Sequence, residues 1–360
     1  MSSPLSRNVA METLEGRLML AGDVTAVITS GGDLLITGDS GDNAIAITVG
    51  LGGEINIAAG DADTTINGGA AASLTGLTGD VLIRMRDGSD SVSLTGLTLP
   101  GRVRIDGGRG NNTVLVDTTS VTGDLTVKNL MGTQAVSLIN GSSVGGNFRI
   151  VNAQRGDTST VVANAFVTGK LHINNKDGAD GFILANSTVD GAVMVNNHKG
   201  NSQMVLDNTA IGGHFYYKSM KGVDVLDVVT ASTVGGKTKL ALGDSGAQVN
   251  ISGLTTGQLQ IQTGKGADTI LLDVMRVSGS TLLKTGAGND EITITNTGFP
   301  SGFTGAFKLD MGQGNDTASI SADFAAGAKV SGGRGTDSLT WQFISAFAVD
   351  PVVVQVEAVA

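Results

Sequence analysis

The chain has 360 residues but no cysteine, only 4 prolines, 1 tryptophan and 2 tyrosines. Without cysteine there is no disulfide scaffold and no thiolate metal site. So little proline beside 54 glycines excludes a collagen-like helix, which needs glycine at every third position and abundant proline. Aromatic residues make up 4% of the chain, so the core has to come from Val, Ile and Leu within a 40% hydrophobic content. The β-branched members of that set favour strands. No run of 18 apolar residues exists to span a membrane as a helix. The first 20 residues lack the apolar core of a standard secretory signal, Leu18 to Leu20 being too short for one. The net charge of −10 argues against a general nucleic-acid binder.

What is present is a repeat. Glycines mark a register at 32, 53, 79, 101, 123, 146, 169, 191, 213, 236, 257, 279, 305 and 327, and eleven of the thirteen spacings lie within one residue of 22. Counted from each marker, apolar residues alternate at +2 and +4, as in Val103 and Ile105 or Leu171 and Ile173, and again at +13 and +15, as in Val114 and Val116. Such alternation signals a strand with one buried face. A lone apolar residue near +20 (Val121, Val144, Val167) implies a third, shorter strand. Strands this short cannot bury a face alone; stacking each coil on the last does it. The leucine-rich signature that competes at this period is missing.

The expected fold is therefore all-β, a single parallel, right-handed β-helix or solenoid of about 14 coils with about 22 residues each, one marker per coil. At ~4.8 Å per coil the rod would be roughly 65 Å long. Residues 1–21 stand outside the repeat, 22–340 form the solenoid, and 341–360, which carry the only Trp, read as its C-terminal cap. Asn140, Asn164, Asn186 and Asn208, at +17 or +18 of consecutive coils, suggest a stacked amide ladder at a tight corner, where Asn tolerates the left-handed backbone.

The turn after the first strand has Gly at +9 in ten coils and Asp or Asn at +11 in nine. In the last four coils it sharpens to Gly264-Lys-Gly266-Ala-Asp268, Gly286-Ala-Gly288-Asn289-Asp290, Gly312-Gln-Gly314-Asn315-Asp316 and Gly333-Arg-Gly335-Thr-Asp337. These strings resemble the nonapeptide of RTX (hemolysin-type) repeats. The resemblance implies Ca²⁺ held by carbonyls and carboxylates of those residues, hard oxygen ligands for a hard cation. RTX repeats recur every nine residues on both sides of their roll, whereas this chain has one such turn per coil. The plainer account is a Gly–Asp turn needed for shape alone. The middle coils lose the motif, with Gln134, Ser202 and Ala247 at the Asp position. Asp61-Ala-Asp63 starts like an EF-hand loop, but Ala72 stands where the bidentate Glu belongs.

Near the N-terminus, Leu14, Glu15, Arg17, Met19 and Leu20 resemble the L-E-x-R-x-L-L motif of large planctomycete extracellular proteins, with Gly16 in place of Pro. That likeness implies export or an envelope location and no activity. Catalytic equipment of the polysaccharide lyases and hydrolases built on β-helices is not evident: there is no Asp-Asp pair, and His172, His198 and His214 have no obvious nucleophile beside them.

If +2 and +4 point inward, then +1, +3 and +5 point outward. In the coils opening at 79 to 305 those positions hold Arg84, Arg102, Arg104, Lys128, Arg149, Lys170, Lys218, Lys237, Lys239, Lys284 and Lys308 against Asp80, Asp106, Asp124 and Asp310, or 11 − 4 = +7. The simple reading is a solvated face that discourages lateral strand pairing. The sharper one is a track for an extended polyanion such as an acidic polysaccharide. Together these features describe a secreted or envelope-associated, non-enzymatic module, structural or adhesive, with no nucleic-acid partner. The alternatives are a β-helix lyase or glycoside hydrolase, and a self-assembling filament protein.

Overall fold

The computed structural model describes residues 22–152, 155–295, 302–342, 352–356 and 358–359, and every regular element among them is a β-strand. First strands stack in one parallel sheet, from Leu34–Thr37 through Val81–Arg84, Val103–Asp106 and their successors to Val352–Val354. Second strands stack in another, from Ala44–Val49 through Ser91–Thr95 to Ala358–Val359. Two-residue third strands such as Ser120–Val121, Ser143–Val144 and Phe166–Val167 join the first sheet. The chain is thus a parallel β-solenoid, as the Gly register predicts.

Pairing is in register from coil to coil, so each repeat position forms a straight row along the axis. The +2 row runs Val81, Val103, Leu125, Phe148, Leu171, Val193, Phe215 and the +4 row Ile83, Ile105, Val127, Ile150, Ile173, Val195, Tyr217. All of these side chains are buried. Burying one of them contributes about 1.5–3 kcal/mol. Near the C-terminal end aromatic rings replace the aliphatic filling: Phe303, Phe307, Phe324 and Trp341 pack with centroids 4.4 to 5.5 Å apart.

One marker fails. Leu34–Thr37 pairs directly with Val81–Arg84, and Ala44–Val49 with Ser91–Thr95, so Gly53 opens no coil. Residues 50–78 instead hold an insertion whose strands Ile55–Ala59 and Ala71–Leu74 run antiparallel beside Ala44–Val49. Gly22–Ile28 likewise runs antiparallel to Leu34–Thr37. In place of the fourteen expected, twelve regular coils opening at Gly79 to Gly327 follow the interrupted coil of Gly32. The misreading has a physical source: Ile55 and Ile57 alternate like a first strand, and alternation cannot report pairing direction. At the other end, Val352–Val354 and Ala358–Val359 continue the parallel ladders on Ala328–Ser331 and Ser338–Gln342. The segment 1–21 lies outside the described residues, as do 343–351.

The expected asparagine corner is left-handed at all four positions, with φ of 57°, 51°, 48° and 45° at Asn140, Asn164, Asn186 and Asn208. Their side chains form an amide-to-amide bond at one step, Asn208 to Asn186 at 2.9 Å, while Asn140 donates to Asp117 at 2.9 Å. A second asparagine stack lies inside the solenoid at +6. Asn152 donates to Asn175 at 2.7 Å, Asn175 to Asn197 at 3.0 Å, and Asn197 to the Tyr217 hydroxyl at 3.1 Å.

The same left-handed corner is occupied by Val274, at φ 51°. A β-branched side chain is poorly tolerated there, where the left-handed backbone costs L-residues roughly 1–2 kcal/mol. Val274→Asn, copying the corners of the middle coils, should stabilise the protein by about 1 kcal/mol. Chemical denaturation checks this; an unchanged or lower midpoint means the corner is not strained.

Candidate functional site

Two features carry the candidate chemistry: the Gly–Asp turn after the first strand and the outward face of the first strands.

The turn is stacked as tightly as the strands it follows. Isolated parallel bridges link Lys265, Ala287, Gln313 and Arg334 through consecutive turns. A Cβ on Gly288 would strike the carbonyl oxygen of Gly266, and one on Gly314 the carbonyl of Gly288. Gly286, Gly312 and Gly333 are constrained in the same way by the coil before, as are Gly264 and Gly335. These glycines are required because one turn's carbonyls approach the next turn's Cα atoms.

The aspartates point inward. Asp268, Asp290, Asp316 and Asp337 are buried. The Oδ1 of each accepts the backbone N–H of the coil before: Asp268 from Ala247 at 2.6 Å, Asp290 from Asp268 at 2.9 Å, Asp316 from Asp290 at 2.8 Å, Asp337 from Asp316 at 3.0 Å. Asn289 and Asn315, on the outer side of the turn, reach the other way: their Oδ1 atoms accept the backbone N–H groups of Asn315 and Thr336 in the following coil at 2.8 and 2.9 Å. The second carboxylate oxygens of Asp268, Asp290 and Asp316 are enclosed with no hydrogen-bond partner. The row continues through the whole solenoid as Asp90, Asn112, Gln134, Thr158, Asp180, Ser202 and Asp224, all buried. The coils in which the motif fades therefore keep a polar side chain inside the same turn, apart from Ala247.

A Ca²⁺ ion takes six to eight oxygens. Here one oxygen of each carboxylate is committed along the axis, and Gly264, Gly286 and Gly312 already accept backbone N–H groups from the following coil. Among the described residues no three acidic or histidine side chains converge on one point. Arranged this way, Asp268, Asp290 and Asp316 each offer one uncommitted carboxylate oxygen, against the six to eight that a calcium ion takes. They do form a proton-sensitive column. Burial pushes Asp90 and Asp180 up to about 7 and Asp268 and Asp316 up to about 6, and raises Asp224 and Asp290 as well.

The outward rows hold every cation the register places there. Arg84, Arg102, Arg104, Arg149, Lys170 and Lys218 are exposed, and Lys128, Lys237 and Lys239 half-buried along their stems. The middle row reads Leu82, Arg104, Thr126, Arg149, His172, Met194, Tyr216, Lys239, Gln260. Charge along it is uneven. In the N-terminal coils Arg102 lies 4.0 Å from Asp124 and Arg104 3.6 Å from Asp106. From Asn147 to Thr285 the first strands contain no Asp or Glu, while Arg149, Lys170, Lys218, Lys237, Lys239 and Lys284 remain. The basic face is thus concentrated in the central coils.

Its histidines have structural roles. The His214 Nδ1 accepts the Lys237 backbone N–H at 2.9 Å. His172 sits between Arg149 and Met194, its pKa lowered by burial and then by the Arg149 charge. A groove of about 740 Å³ runs along the third strands past Thr188, Ala210, Thr233 and Thr255, with Asp190 as the one carboxylate in its lining. No protein-family model, curated protein or solved structure matches the chain.

The carboxylate column has a definite pH signature. A folded-state pKa raised above the ordinary 3.8 means the folded protein holds the extra protons, so this stability is full at low pH and is lost as pH rises through about 6 to 7. The melting temperature should fall between about pH 4.5 and about pH 8. Asp180→Asn, which keeps the acceptor for the Thr158 hydroxyl, should flatten part of that fall and melt higher at the alkaline end. Millimolar Ca²⁺ should leave the curve of chelator-treated protein unmoved. A calcium-dependent rise lost in Asp290→Ala with Asp316→Ala would instead establish a cation site, and a pH-independent melt would remove the column's role.

Proposed function

We propose that this chain is a secreted or envelope-associated structural or adhesive module, without enzymatic activity, that holds an acidic polysaccharide against the basic face of its solenoid. The observation that carries the reading is the acid-free stretch of first strands from Asn147 to Thr285, with six cations in rows along the axis. Along any one row these cations stand three or four coils apart, and Lys218, Lys237 and Lys239 gather in two neighbouring coils, where an extended anion lying on the face would answer their charge. A merely solubilising surface would not need its anions sorted out of the central coils. The location rests on the likeness of Leu14 to Leu20 to the planctomycete motif.

Affinity chromatography tests the reading. Immobilised polygalacturonate or alginate should retain the protein at low salt and release it as salt rises, since such contacts are screened beyond about 8 Å at physiological ionic strength. Arg149→Glu with Lys239→Glu should abolish retention at an unchanged melting temperature. Arg104→Glu, whose charge is already answered by Asp106, should have a much smaller effect. A wild-type protein that passes polygalacturonate, alginate and heparin columns unretained contradicts the proposal.

A further inference from the structure

The central basic face contains a cleft of about 470 Å³ bounded by Asn196, Tyr216, Lys218, Lys237, Lys239 and Ala241. Its shape follows from the rows. Asn196, Lys218 and Ala241 are successive members of the +5 row, and the short Ala241 side chain leaves a hollow beside Lys218. Tyr216 and Lys239 are neighbours in the middle row. The strand period turns the two tyrosines of the chain opposite ways: Tyr217 is buried, and Tyr216 faces out. Tyr216 is the only Phe, Tyr or Trp at an outward position of any described first strand.

The ring has a built support. His214 lies 5.5 Å from it, tilted by 39°, and the Lys237 backbone N–H bonded to Nδ1 fixes that imidazole. The Lys237 side chain is also placed, donating to the Gln260 side-chain oxygen at 2.5 Å. Lys218 and Lys239 have no ion pair among the described residues, whereas Lys199 and Lys265, on the turns, do. The next strand turns Gln258, Gln260 and Gln262 to the same face.

Resting on the polysaccharide reading above, we infer that this cleft is a subsite for one uronate unit of an acidic polysaccharide. A uronate ring offers three chemistries: an apolar C–H face, a rim of hydroxyls and one carboxylate. The Tyr216 ring is an apolar platform with a polar tip that matches the first. Asn196 and the glutamine amides are both donors and acceptors, as hydroxyls require. Lys218 and Lys239 supply mobile cations for the carboxylate. Single-stranded nucleic acid fits less well, because it uses successive aromatic platforms for successive bases and the face has one. A polyanion without sugar rings, such as polyphosphate, would gain from the cations and nothing from the ring.

Titration calorimetry on the full chain separates these, using oligogalacturonate, its methyl ester, polyphosphate and single-stranded DNA. Wild type should bind oligogalacturonate and lose most of that affinity on the methyl ester. Tyr216→Ala should weaken oligogalacturonate binding by about fivefold or more and leave polyphosphate binding unchanged. Tyr216→Phe should restore it, with melting curves showing all variants folded. Equal losses for both polymers, no loss in Tyr216→Ala, or tighter binding of DNA would overturn the subsite while leaving a general polyanion face. Failure of the wild type to bind any polyanion would sink the wider reading with it.

Discussion

Nearly all backbone hydrogen bonds of the regular coils point along one axis, to the coil before or the coil after. That constraint shapes the rest. A chain that turns three corners in 22 residues and still satisfies its amides in a single direction must repeat its backbone coil by coil. The corners are the hard part, since strands satisfy themselves but turns leave buried polar groups, and an unmet buried group costs about 1–3 kcal/mol. The molecule meets them with side chains that behave like extra backbone: the buried Asp and Asn row, the +6 asparagines, and hydroxyls such as those of Ser142, Ser187 and Ser232, which accept the N–H groups of Thr119, Ala165 and Thr209. Glycine enters where the axial approach leaves no room for a Cβ.

The same constraint organises the surface. Register pairing converts a repeat position into a straight row, so a single outward residue type becomes a linear array at the strand spacing. Along the N-terminal coils the array alternates in sign and neutralises itself through Arg102–Asp124 and Arg104–Asp106. Along the central coils it does not, and there the amides, the lone outward tyrosine and the unpaired lysines share one face. The proposed polysaccharide contact arises from rows that the fold makes linear and the sequence leaves uncompensated.

Much of the architecture was readable before any coordinates. The +2 and +4 alternation marks the first strands because inward positions accept only a few apolar types, and the marker glycines report a steric requirement that no other residue meets. Gly53 misled because Ile55 and Ile57 carry the alternation of a first strand while pairing antiparallel. The site was less legible. Asp290 and Asp316 look like ligands in a linear motif, and only the stacked geometry shows each Oδ1 spent on a neighbouring N–H. The inner stack of Asn152, Asn175 and Asn197 recurs at one repeat position, yet asparagine at a turn suits an exposed corner equally well. The charge sorting was hidden for a related reason: Arg102 and Asp124 are 22 residues apart in sequence and neighbours only once the coils stack.

Native-state hydrogen exchange resolved to single residues tests the axial account most directly. If buried side chains complete the backbone ladder at the corners, the amides of Asp268, Asp290 and Asp316 exchange as slowly as strand amides in the same coils, such as Ile270 and Ile292, with protection lost from the ends of the rod inward. Corner amides that exchange rapidly while the adjoining strands stay protected would contradict it, because the turns would then be open loops hung on the sheets.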